Sequence, residues 1–66
     1  MIVVTGASGF IGSNLVNHLR SLDKEVLAVD FVKRDYIDPR IEFTYAYDFP
    51  EIINLYDIEC IFHEGA

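Results

Sequence analysis

The chain is poor in the residues that would mark several large function classes. Its one cysteine, Cys60, has no partner for a disulfide within the chain, so the sequence reads as one kept in a reducing cytoplasm. Basic residues number five against eleven Asp and Glu, and Lys33-Arg34 is the only adjacent basic pair. A formal charge of -6 argues against a nucleic-acid surface, which needs clustered Lys and Arg to meet phosphates. No apolar run approaches the roughly 20 residues that cross a bilayer, and MIVVTGAS lacks the basic start and longer apolar stretch of a secretory signal. No Cys or His cluster has metal-ligand spacing, so no metal site is expected. At 66 residues the chain is one small domain at most, able to bury only roughly 60% of the surface its unfolded form exposes.

What is present is unevenly placed. Three of the four glycines fall in one stretch, TGASGFIG, from Thr5 to Gly12, and every acidic residue lies at or beyond Asp23. An anion brought to Gly6–Gly12 would meet no carboxylate nearby in sequence. Before the glycines, Ile2, Val3 and Val4 form a β-branched run of the kind buried in parallel sheets. From Phe10 on, Ile11, Leu15, Val16, Leu19 and Leu22 recur at helical spacing, with Asn14, Asn17, His18 and Arg20 mostly between.

Further along, EVLAVD (residues 25–30) reads as a second strand ending in an acid, and residues 31–40, which include Asp38-Pro39, read as a loop. IEFTYAY (residues 41–47) alternates as a third strand does. Asp48 and Pro50 suit the cap and first turn of a short helix, and ECIFH (residues 59–63) is a fourth strand. The order predicts an α/β fold, the N-terminal part of a Rossmann-type doubly wound parallel sheet of about four strands in the order 3-2-1-4. Without further edge strands and covering helices, such a sheet is expected to be incomplete and marginally stable alone.

The glycines have separate uses at a strand-to-helix turn. There the first helical N–H groups lack internal partners and carry the positive end of the helix dipole, which attracts phosphate. Gly6 would permit the tight turn, Gly9 close approach of the backbone to a pyrophosphate, and Gly12 close packing of the helix. The spacing is GxxGxxG rather than GxGxxG, but the context agrees. A strand precedes it, an amphipathic helix follows, and Asp30 stands about 20 residues on, where an acid can accept from a ribose. Lys33 and Arg34 near that acid could accommodate a 2′-phosphate, so NADP stands beside NAD.

TGASGFIG resembles the fingerprint of the extended short-chain dehydrogenase/reductase family, the NAD-dependent epimerases and dehydratases of nucleotide sugars. VDF (residues 29–31) is similar to that family's second-strand end, and IFHEGA (residues 61–66) to its fourth. Glu64 and Gly65 in the latter are particularly like those of ADP-glycero-manno-heptose 6-epimerases. The resemblance implies cofactor roles for Gly6, Ser8, Gly9 and Gly12 in the pyrophosphate turn, and for Phe10 and Ile11 as backbone at the phosphates. It implies the same for Asp30 with Phe31 at the adenosine ribose, Asp48 and Phe49 beside the adenine, and Glu64, Gly65 and Ala66 along the strand end.

No catalytic residue is assigned. The family's chemistry uses a tyrosine with a lysine four residues on, and the positions four after Tyr36, Tyr45, Tyr47 and Tyr56 hold Arg40, Phe49, Glu51 and Cys60. A nucleotide-sugar substrate, and any oligomer, therefore belong to a full-length enzyme. The other readings are a noncatalytic dinucleotide-binding module and an inactive truncated product. Bland roles are expected for His18 at the surface, His63 as a hydrogen-bonded strand residue, Cys60 as a buried small hydrophobe, and Phe43, Tyr45 and Tyr47 as one packed strand face.

Overall fold

The computed structural model describes residues 1–64. Four strands, β1 (Ile2–Thr5), β2 (Val26–Asp30), β3 (Glu42–Tyr45) and β4 (Cys60–His63), form one parallel sheet in the order β3-β2-β1-β4. The predicted order is thereby met. Helix α1 (Phe10–Ser21) joins β1 to β2, and a short α2 (Phe49–Ile52) running into a 3₁₀ turn (Ile53–Leu55) precedes β4.

Register follows from which side chains must be buried. Val4 pairs with Ala28, and Val3 with Leu27, so alternate residues of the two central strands point to opposite faces. On one face Val4, Val26 and Ala28 pack with Val16 of α1 and with Ile37 and Ile41 from the long loop. On the other, Val3, Leu27 and Val29 are covered by Phe49, Tyr56 and Ile58. The second face of the central strands is thus less bare than the sequence led us to expect. The Tyr56 hydroxyl donates to the Glu42 carboxylate, a bond that pushes the phenol above its ordinary value.

Four expectations are corrected here. Cys60 is exposed, because β4 is an edge strand with all four residues open to solvent. Ile11 and Leu22 are exposed as well: α1 turns Gly12, Ser13 and Val16 inward, while Ile11 lies in the first turn and Leu22 beyond the last. Asp48 precedes α2 but makes no side-chain capping bond. Of the aromatic row, Phe43 alone packs against the core. Tyr45 and Tyr47 stack on each other, 5.5 Å apart and 6° from parallel. His18 is exposed, as expected.

Candidate functional site

The glycine stretch is held from three sides. Gly6 adopts φ 70°, a left-handed conformation that only glycine takes without strain. The Ala7 amide then donates to Val29 O at 3.1 Å, the Ser8 amide to Asp30 Oδ2 at 2.9 Å, and the Gly9 amide to Gly6 O at 3.1 Å. Gly12 is where α1 presses on this turn: a Cβ there would lie 2.2 Å from Gly6 O. A Cβ on Gly9 would meet Gly6 O at an ordinary 3.4 Å, so nothing inside the protein requires glycine at that position. Gly9 is itself exposed.

Helix α1 begins immediately after Gly9 with no side-chain cap and no acid in its first turn. The amides of Phe10 and Ile11 have no intrahelical acceptor, and among the described residues none is provided from elsewhere. They are free donors at the positive end of a helix of 12 residues.

At the C-terminal ends of β1, β2 and β4 a cleft of about 520 Å³ opens beside this turn, within the range of small-molecule sites. It lies where the chain order reverses, β2 on one side of β1 and β4 on the other, the usual ligand position in open α/β sheets. Gly6, Gly9, Asp30, Phe31, Phe49 and Pro50 all line it. Asp30 accepts from the Phe31 amide at 2.7 Å through Oδ1 and from Ser8 through Oδ2, which leaves each oxygen a further lone pair for a hydroxyl. Thr5 and His63, paired in register and both lining the cleft, share a hydrogen bond of 2.6 Å.

Of the residues singled out in the sequence, Gly6, Gly9, Asp30, Phe31, Phe49 and Glu64 meet around the cleft. Ser8 and Gly12 are buried within the turn, Phe10 and Ile11 follow it with exposed side chains, and Asp48 is exposed outside the lining. Gly65 and Ala66 lie outside the described residues. Thr5, Val29, Ala46, Pro50 and His63 also line the cleft. Their signal was positional: in a parallel sheet, the last residues of neighbouring strands share one end.

The model of the NAD dependent epimerase/dehydratase family matches residues 2–65. The chain belongs to this family. It is 40% identical to an ADP-L-glycero-D-manno-heptose-6-epimerase of Brachyspira hyodysenteriae, with all of this chain and 24% of the relative covered. It is 37% identical to a putative UDP-glucose 4-epimerase of Methanocaldococcus jannaschii, at the same coverage of both chains. In structure it is similar to a UDP-glucose 4-epimerase, with TM-score 0.88 and 25% identity over 98% of this chain and 22% of the other. The chain therefore spans about a quarter of the curated relatives it matches.

Family membership implies a nicotinamide dinucleotide as the class of cofactor. The residues present fit that group on their own geometry: free amides at Phe10 and Ile11 suit phosphate, the open backbone of Gly9 suits close approach, and the Asp30 carboxylate suits a diol. Among the described residues, no helix is long and apolar enough to cross a membrane, and no group of His, Cys, Asp and Glu is arranged to hold a metal ion.

Proposed function

We propose that the chain is the dinucleotide-binding N-terminal portion of a nucleotide-sugar epimerase, and that it favours NAD over NADP. The observation that carries the reading is that Gly9, which the unpartnered helix-start amides directly follow in the chain, lines the same cleft as the Asp30 carboxylate. The amides of Phe10 and Ile11 would hold the pyrophosphate, and Asp30 the adenosine ribose. Phe31 and Phe49 would offer apolar surface that excludes water, with Glu64 beside them and Asp48 outside the lining.

Two features support NAD. A 2′-phosphate would meet the negative charge of Asp30, and the Lys33 ammonium lies over the Phe43 ring at 5.8 Å rather than in the cleft lining. When bound, a nicotinamide dinucleotide would supply the chemistry of reversible hydride transfer. This chain's residues bind and orient. The tyrosine and lysine that would move the substrate's protons are sought outside these 66 residues, and a cytoplasmic setting accords with the single cysteine.

Calorimetric titration of the full chain with NAD and NADP tests the reading. We expect saturable NAD binding, weaker NADP binding, and loss of both in Gly9→Ala with the fold intact. Absence of NAD binding at millimolar ligand overturns it. A Tyr-x-x-x-Lys in the reading frame beyond Ala66 would separate an enzyme from a binding module, and a stop or frameshift there would mark a truncated product.

A further inference from the structure

Ser8 has a small relative exposure of 7%, and all three of its polar groups are taken by one neighbouring segment. Its amide donates to Asp30 Oδ2 at 2.9 Å, its hydroxyl donates to the Val32 carbonyl, and its carbonyl accepts from the Tyr36 hydroxyl. The segment is anchored at its far end too. Asn17 of α1 donates through Nδ2 to the Tyr36 carbonyl at 3.0 Å and accepts through Oδ1 from the Asp38 amide at 2.8 Å, while Ile37 is buried in the core. The loop after β2 is thus a strap, fastened to α1 and to the glycine turn, and it starts at Asp30 and Phe31, which line the cleft.

We propose that Tyr36 is a positioning residue for ribose recognition, acting through Ser8 on Asp30 and Gly9. Its hydroxyl fixes the orientation of the Ser8–Gly9 peptide, whose nitrogen belongs to the residue that presents bare backbone to the cleft. The Ser8 amide in turn holds one oxygen of the Asp30 carboxylate, leaving the remaining lone pairs aimed by the turn rather than free to rotate. Tyr36 itself is absent from the cleft lining, so its effect reaches the ligand only through these bonds. The inference rests on the reading of Asp30 as the ribose acceptor.

The test compares AMP with 2′-deoxy-AMP on the full chain, by calorimetry well below the melting temperature. The ratio of the two affinities reports Asp30 alignment and is unmoved by a general loss of stability. The wild type is expected to prefer AMP by about tenfold, the ratio one charge-assisted hydrogen bond supplies. In Tyr36→Phe, which removes only the hydroxyl, the ratio should fall to about twofold, and in Ser8→Ala, which frees Val32, it should fall similarly. Should Tyr36→Phe not fold, Ser8→Ala carries the same readout. A tenfold preference retained in a folded variant overturns the strap's role while leaving the functional reading standing. A wild type that binds neither nucleotide, or both equally, overturns the two together.

Discussion

At Gly12 the contact with Gly6 O is with backbone, which cannot swing aside as a flexible side chain would. Gly12→Ala should therefore lower stability by about 1–3 kcal/mol, in the manner of overpacked cores, read as an earlier urea midpoint. Gly6→Ala should cost a similar amount, about 1–2 kcal/mol, through its left-handed φ. Gly9→Ala is the informative contrast. Its φ of -73° suits alanine and the space is adequate, so the urea midpoint should hardly move while dinucleotide binding is lost. The glycine spacing was legible in the sequence, and so were the tight turn at Gly6 and the close packing at Gly12. That Ser8 would serve the strap rather than the cleft was not, because its partners lie 22 to 28 residues away.

Among the elements, the long loop repays closest reading. Its charge and Asp38-Pro39 predicted a loop, and no helix or strand forms there; what the pattern did not show is that Ile37 and Ile41 enter the core. Asp38 is hydrogen-bonded by the Arg40 side chain and amide, which hold its carboxyl down at about 2 against an ordinary 3.8. A carboxylate lowered in this way adds stability above its unfolded value, and that contribution disappears as pH falls from about 4 toward 2. Carbon NMR should find Asp38 titrating late on acidification, and Arg40→Ala should bring it back toward 3.8. Strand β4 tells a different story. Exposed Ile61 and Phe62 on an unpaired edge predict self-association of the chain in sedimentation, reduced by Ile61→Lys.

For the molecule as a whole, the expected weakness is stability. Both faces of β1 and β2 are covered, yet β4 is open throughout and the core is small. Ligand binding should therefore register clearly in melting: NAD at 100 times its dissociation constant adds about 2.7 kcal/mol, a rise on the order of 10 °C for a domain of this size. Sharp cooperative unfolding of the monomer without ligand would count against marginal stability. The sequence by itself determined the class of fold, the strand order and the glycine turn between β1 and α1, because these follow from local patterns: β-branched runs, a helical period and glycines where side chains would obstruct. Only the tertiary structure decided which residues share the cleft, which aromatic side chains reach the core, and that Tyr36 and Ser8 tie the loop to the turn. Those outcomes depend on parallel register and on hydrogen bonds between residues distant in the chain, and neither has a local signature.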